Sequence, residues 1–285
     1  MNSGLIIKRK DPRTFSHSKT FGAGNIFEVP NNFVVAEPLE IKNQFSSDLC
    51  TAYSTSAISE DQEGVLLSPE YVFAKTKKIM GDYKGYGADP VSACKAHIKY
   101  GAIEQHESPF VLGLNDRDTI ANWKNWSESL DANAVKHRKG AFFEVDGHDS
   151  LFDSIRATMW QNRAEKRTVF AGVYWQPLWS RAEGGVCEHY GPDRNSPHAV
   201  KIFGSKVING KVYLMVQNSY GKEVGDNGIF YFSKEVADNL VFAYTFRDMN
   251  PEDIKKLQWD VLQLLYDWLV QIVRQFQKLY GAIFR

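Results

Sequence analysis

The dipeptide Asn209-Gly210 restricts the fold more than any other feature of this chain. Both residue types tolerate positive φ, and apolar, β-branched runs flank them at 199–208 and 211–217. That pattern predicts a two-residue β-hairpin. The turn also sets a register. Residues 208 and 211 face each other, which puts Asn218 opposite about Lys201, three residues past His198 (201 − 198 = 3). His198 and Asn218 therefore belong to the same open end of one hairpin. A twist or a bulge must close the remaining offset.

Upstream of the hairpin the period is helical. From Cys50, small or apolar residues (Ala52, Tyr53, Ser56, Ala57, Ser59) recur without Gly or Pro until Gly64, predicting a buried helix over about 50–62. Ser68 and Pro69 open a second helix, as cap and first residue, that ends near Gly81. A third runs from Pro90 to Tyr100 and stops at Gly101. Residues 111–150 carry Trp123, Trp126 and many charges but no motif, and 151–164 is again helical. Apolar runs at 169–175 and 228–232 add strands to the hairpin. Helices first and strands later predict an α+β architecture with two segregated lobes. Residues 1–28 form an extended arm, 29–250 the main domain, and 251–285 a separate helical tail.

Composition excludes several functions. The 34 basic and 34 acidic side chains cancel, so no global field draws nucleic acid. Three cysteines, Cys50, Cys94 and Cys187, are too few for a disulfide framework and fit a reducing setting, in the cytoplasm or within an intracellular or viral assembly. The apolar stretch Leu5-Ile6-Ile7 is too short for the core of a signal peptide. No run of about 18 uncharged apolar residues predicts a spanning helix. Cys187-Glu188-His189 matches no closed zinc motif, so neither metal nor cofactor is expected. No glycine loop fits a phosphate cradle. Cys94 reads as core, and Tyr174, Trp175 and Trp179 as packing for the sheet or lining for a cleft.

Three residues can carry chemistry together. A thiol acts as a nucleophile only as thiolate, a form favoured by a helix N-terminus and a nearby histidine. Cys50 stands where a helix begins, after the polar segment 43–49. His198 at a strand mouth can take the thiol proton and return it to a leaving amine. Asn218 can fix the tautomer and orientation of that ring. The Gln44 side-chain amide and the Cys50 backbone N–H can supply two donors to an oxyanion. Taken singly, each has a duller reading: a packed cysteine, a surface histidine, a turn asparagine.

Their order and surroundings resemble the papain family. Gln44 stands six residues before Cys50 (50 − 44 = 6), and Cys50-Thr51-Ala52-Tyr53-Ser54 is similar to the family's Cys-Trp-Ala-Phe-Ser. Pro197-His198-Ala199-Val200 resembles its His-Ala-Val strand, and Gln217-Asn218-Ser219-Tyr220-Gly221 its Lys-Asn-Ser-Trp-Gly. Gly225-Asp226-Asn227-Gly228 resembles the Gly-Glu-Asn-Gly that follows, while Tyr100-Gly101 and Ser108-Pro109-Phe110 match further landmarks. The Cys50 to His198 spacing (198 − 50 = 148) falls within the roughly 130–150 residues usual for such enzymes. The resemblance covers about residues 29–235. It implies a papain-like two-lobed fold, a helical lobe plus an antiparallel sheet lobe, with the cleft between them holding Cys50 against His198. Peptide would bind extended across the cleft, with backbone hydrogen bonds from Gly87 and Ala88. Departures are Ser47, where the family has a disulfide-bonded cysteine, Asp48 beside the nucleophile, Ala88 for a glycine, and Tyr220 for the tryptophan that shields the asparagine. An upstream segment of about 28 residues implies no long inhibitory propeptide.

The tail adds a C-terminal amphipathic helix. Leu262, Leu265, Leu269, Ile272, Phe276, Leu279 and Ile283 make a heptad seam, opposed by Asp260, Gln263, Asp267, Gln271, Arg274 and Lys278. A mixed polar stripe disfavours a membrane surface. The seam predicts packing on the domain, or self-association or docking on an assembly. Two functional classes follow. One is a cysteine-type peptidase cutting peptide or isopeptide bonds of a protein substrate through an acyl-thioenzyme. The other is a papain-fold structural or interaction protein of a larger, viral or other, assembly.

Overall fold

The computed structural model describes residues 4–7, 14–248 and, in the tail, 262, 265, 266 and 269–273. Residues up to Arg247 form one compact unit and those from Asp248 a second. In the first unit the strands are β1 (Phe15–Ser16), β2 (Phe33–Val34), β3 (Ala141–Glu144), β4 (Val169–Tyr174), β5 (Val186–Cys187), β6 (Pro197–Ile208), β7 (Lys211–Gln217), β8 (Ile229–Phe232) and β9 (Phe242–Arg247). The helices are α1 (His17–Phe21), α2 (Cys50–Glu63), α3 (Pro69–Met80), α4 (Pro90–Lys99), α5 (Arg117–Ala121), α6 (Ser129–Ala134), α7 (Leu151–Gln161) and α8 (Lys234–Asp238).

Local chemistry explains the helix ends. Ser68 caps α3 by accepting from the Tyr71 N–H, Pro69 starts it, and Gly81 at φ 74° ends it. Asp89 and Ser150 cap α4 and α7 in the same way. These helices fall where their sequence signals put them. The arm before residue 28 is more structured than an extended reading allows: it carries β1, α1 and a 3₁₀ turn at Ile26–Glu28.

The strands run β1-β3-β9-β4-β6-β7-β8-β5, with β2 also on β6. The sheet is mainly antiparallel, with β1 joining β3 and β5 joining β8 in parallel. Asn209 and Gly210, at φ 49° and 78°, close the β6–β7 hairpin with Ile208 opposite Lys211. The ladder shifts register between Ile202 and Gly204. That bulge at Phe203 brings Lys201 opposite Gln217, one step nearer to the His198–Asn218 alignment.

Each lobe has its own core. Helical-lobe residues such as Leu49, Tyr71, Phe73 and Trp126 form one cluster, and sheet-lobe residues such as Phe152, Val173, Trp175 and Phe230 another. A third cluster lies between, with Cys50, Ile58, Cys94, Phe170, Ala199 and Phe246. Helix α2 runs through this junction with residues 50–61 all buried.

A helix buried on every side must satisfy its charges internally. Asp61 Oδ1 meets Lys201 Nζ at 2.6 Å, and Asp61 Oδ2 accepts from Thr168 Oγ1 at 2.5 Å. Glu60 pairs with Lys42 at 2.5 Å. Burial raises Asp61 to about 6, with Lys201 opposing the rise. Replacing Lys201 by Met strands that carboxylate in the core. Chemical denaturation should show a loss of about 3–5 kcal/mol, and the double change with Asp61→Leu a smaller one. A Lys201→Met loss under about 1 kcal/mol, the range of exposed pairs, would contradict this account of the core.

The tail expectation over 251–285 lies mostly outside the described residues. Those described there, Leu262, Leu265, Tyr266 and 269–273, are helical.

Candidate active site

Cys50 is the first residue of α2, so the unpaired amides of the first turn gather around its side chain. The polar loop before it is folded tightly onto the end of β7. The Gln44 N–H donates to the Ser219 carbonyl at 2.8 Å, and its side-chain Oε1 accepts from Ser219 Oγ at 2.5 Å. Its Nε2 donates to the Ser47 carbonyl at 2.8 Å. Gln44 is thereby fixed beside Asn218 and just ahead of the cysteine.

His198 projects from the second position of β6, opposite Val173 of β4. Its Nε2 lies 2.8 Å from Asn218 Oδ1. Asn218 Oδ1 also accepts the Ser219 N–H at 2.7 Å. An amide N–H can only donate, so this atom is the carboxamide oxygen and the histidine proton sits on Nε2. Nδ1 is then the basic nitrogen. Two aromatic rings enclose the imidazole: Tyr220 stacks on it at 4.7 Å between centroids, and Trp175 meets it edge-on at 5.4 Å. Trp175, read from sequence as packing or cleft lining, packs in the sheet-lobe core and against the imidazole.

Residues 4–7 of the same chain lie along residues 85–88, with Leu5 paired in parallel to Ala88. The Ala88 N–H donates to the Gly4 carbonyl at 2.9 Å, and its carbonyl accepts the Ile6 N–H at 2.9 Å. Leu5 is buried in the cluster that holds Cys50 and Ala199. A Cβ built on Gly4 would stand 2.7 Å from Cys50 Sγ, so the strap's backbone rests directly on the thiol and only glycine fits there.

Of the two residues expected to bond a peptide, Ala88 bonds residues 4 and 6 of the same chain, while the Gly87 backbone groups meet Asp48 and Lys77. The Gly87 N–H donates to Asp48 Oδ2, and its carbonyl accepts from Lys77 Nζ at 3.1 Å. Gly87 gives clearance instead: at φ +68°, a Cβ there would meet the Gly4 carbonyl at 3.1 Å. Asp48 is thereby a staple between the nucleophile loop and the groove strand. Arg117 extends it, with Nε 3.6 Å from Asp48 Oδ1 and Nη1 donating to the Gly85 carbonyl at 2.9 Å. No sequence signal pointed to Arg117, Lys77 or Gly4, because each acts through backbone groups distant in the chain.

Electrostatics follow from the covering. Cys50 is fully buried and His198 is 3% exposed. Burial pushes the Cys50 thiol up to about 12, the Ala199 backbone N–H opposing it and the Asp48 charge adding to it. Burial drives His198 down to about 4, against the Asn218 bond. Cys50 therefore carries a neutral thiol and His198 a neutral imidazole. The rejected metal motif is dispersed: Glu188 bonds Lys211 and Tyr213, His189 lies 3.1 Å from Glu235, and Cys187 is core. Among the described residues no cluster of three His, Cys, Asp or Glu side chains is suited to a metal.

The profile of the papain family cysteine proteases matches residues 36–244. No curated protein sequence matches the chain. Among solved structures, xylellain, a cysteine protease from Xylella fastidiosa, superposes with a TM-score of 0.70 at 20% identity, covering 87% of this chain and 97% of xylellain. Procathepsin B S9 from Trypanosoma congolense follows at 0.61 and 19%, covering 87% of each chain. Bromelain protease from Ananas comosus gives 0.56 and 18%, covering 78% of this chain and all of its own (100%). At such identities the superpositions speak to fold, and the profile to descent. The chain belongs to the papain family of cysteine proteases: it is a cysteine-type peptidase, a hydrolase of peptide or protein substrates, built on the papain-like α+β fold.

Proposed function

We propose that the chain hydrolyses peptide or isopeptide bonds through an acyl-thioenzyme, with Cys50 as nucleophile, His198 as base and Asn218 as the group that orients it. The observation that carries this reading is the 2.8 Å bond between His198 Nε2 and Asn218 Oδ1. It leaves Nδ1 as the basic nitrogen, on a ring whose next residue, Ala199, packs with Cys50.

The steps follow from these groups. Nδ1 takes the proton of the Cys50 thiol, and the thiolate attacks the scissile carbonyl carbon. The carbonyl electrons move to oxygen, where the Cys50 N–H and Gln44 Nε2 are the donors. The imidazolium then protonates the departing amine as the C–N bond breaks. Water, deprotonated by Nδ1, attacks the thioester, and the thiol is regenerated. Peptide turnover should vanish in Cys50→Ala, fall about 10²–10⁴-fold in His198→Ala, and fall about 10²–10³-fold in Gln44→Ala. Turnover surviving Cys50→Ala would overturn the proposal.

Residues 4–7 explain how such a site stays idle. They occupy the groove as a peptide does, but the Gly4 carbonyl is held by Ala88 N–H and by Thr51 Oγ1 at 3.1 Å. It is thus turned to the groove wall and not to Gln44, so the strap is an inhibitor and not a substrate. Gly4→Ala should expel it and raise turnover. Protons should also loosen it. A histidine whose pKa falls from 6.5 to about 4 under the strap favours covering while it is neutral. Covering is therefore full above pH 6.5 and weakens as pH falls towards 4, by up to about tenfold per pH unit. Leu5 methyl signals followed by NMR should move to exposed positions over that range. A pH-independent strap, or a Gly4→Ala variant no more active than wild type, would contradict this.

The tail supports a further partner of the same chain, a second copy. Leu262, Leu265, Leu269 and Val273 are all more than half exposed, at 51–57%, which is costly for apolar side chains in water. Deleting residues 251–285 should lower the mass in solution. An unchanged mass would remove self-association through this helix.

A further inference from the structure

Residues 44–48 also wall a cavity of about 470 Å³, together with Tyr86 and parts of the segment 112–118. That volume lies in the range of ligand pockets. The cavity adjoins the groove. Tyr86 stands next to Gly87, in the segment along which residues 4–7 lie, and Asp48 reaches from the cavity wall to the Gly87 N–H. None of residues 4–7 lines it, so they leave it open while they cover the thiol.

One part of the wall is apolar and exposed. Phe45 is 58% exposed and Tyr86 67%, and Leu112 lies with them. Phe45 stands at φ 52°, a costly region for a large side chain. Its ring rests on Gly113, where a Cβ would come within 3.3 Å of Phe45 Cε2. Two exposed rings on one cavity mark a contact surface.

The other part is charged. Three carboxylates, of Asp48, Asp116 and Asp118, line it against one guanidinium, of Arg117. Arg117 is already committed. It donates to the carbonyls of Gly85 at 2.9 Å and Lys84 at 3.1 Å, pairs with Asp118 Oδ1 at 2.8 Å, and lies over the Tyr86 ring at 4.7 Å. Asp48 is held by Gly87 and Arg117. Asp116 accepts from the Thr119 N–H and hydroxyl, which hold its carboxyl below the ordinary range. Asp118 meets Arg117 through Oδ1, with its side chain 60% exposed. The surplus charge is therefore negative, and it sits at Asp116 and Asp118.

We propose that this cavity is a specificity pocket that takes a basic side chain, of lysine or arginine, from a peptide lying along residues 85–88. It rests on the reading of that segment as the substrate groove. The aliphatic stem lies on Phe45, Tyr86 and Leu112, and the cationic head meets Asp116 and Asp118. An acidic side chain would face the surplus carboxylates with Arg117 already bonded. A purely apolar one would strip water from Asp116 and Asp118 without replacing it.

The test is an NMR titration of the full chain carrying Cys50→Ala with acetyl-arginine amide. Acetyl-citrulline amide, of the same shape without the charge, is the control. The arginine probe should bind about fivefold more tightly than the citrulline probe and shift the signals of Phe45 and Leu112. Asp118→Asn should remove most of that preference, and Asp116→Asn serves if the first variant fails to fold. Phe45→Ala should weaken both probes. Equal affinity for the two probes, no shift at Phe45 and Leu112, or a preference unchanged in the variant that folds would overturn the proposal. None of these readings uses turnover, so turnover surviving Cys50→Ala bears on the peptidase mechanism and the probes on the pocket alone.

Discussion

Helix α2 is buried along its whole first three turns, and the nucleophile candidate is its first residue. Everything at the site depends on that placement. A helix in the junction of two lobes cannot slide or tilt without opening both cores, so the thiol's position is set by packing. Its internal charges are matched in pairs, Glu60 with Lys42 and Asp61 with Lys201. Lys201 sits three residues beyond His198 on β6 (201 − 198 = 3). The ion pair that satisfies the helix thus also ties it to the strand that presents the histidine.

The groove strand is held in a comparable way. Asp48, Lys77 and Arg117 take up polar groups of residues 84–87, leaving Ala88 with a free N–H and carbonyl for a peptide. Residues 4–6 use that pair. Their backbone covers the thiol, and burial keeps both sulfur and imidazole uncharged.

Much of this was legible in the sequence, for identifiable reasons. Asn209-Gly210 demands positive φ at two successive residues, which few other turns tolerate, so the β6–β7 register followed from it. Ser68-Pro69 and Gly81 marked α3 because caps are local chemistry. The need for a bulge followed from the register itself, and the ladder shifts at Phe203. Short or nonlocal elements were opaque. Residues 111–150 contain helices of five and six residues, too short to display a period. β9 alternates Phe242, Tyr244 and Phe246, yet its central place between β3 and β4 depends on long-range pairing. At the site, Gln44, Cys50, His198 and Asn218 carried motif signals. Gly4 over the thiol and Arg117 behind Asp48 did not, since main-chain contacts leave little trace in side-chain identity. Gly87 and Ala88 read alike in the sequence, and only the fold shows that Lys77 holds the Gly87 carbonyl.

The account stands on Cys50 being the nucleophile of a site that its own N-terminal segment covers. The most direct measurement is the intact mass, with peptide mapping, of the chain treated with a peptidyl epoxide. A single adduct on Cys50, forming slowly in the full chain and rapidly once residues 1–13 are removed, is the predicted result. An adduct spread over Cys94 and Cys187, or a rate indifferent to that removal, would contradict it.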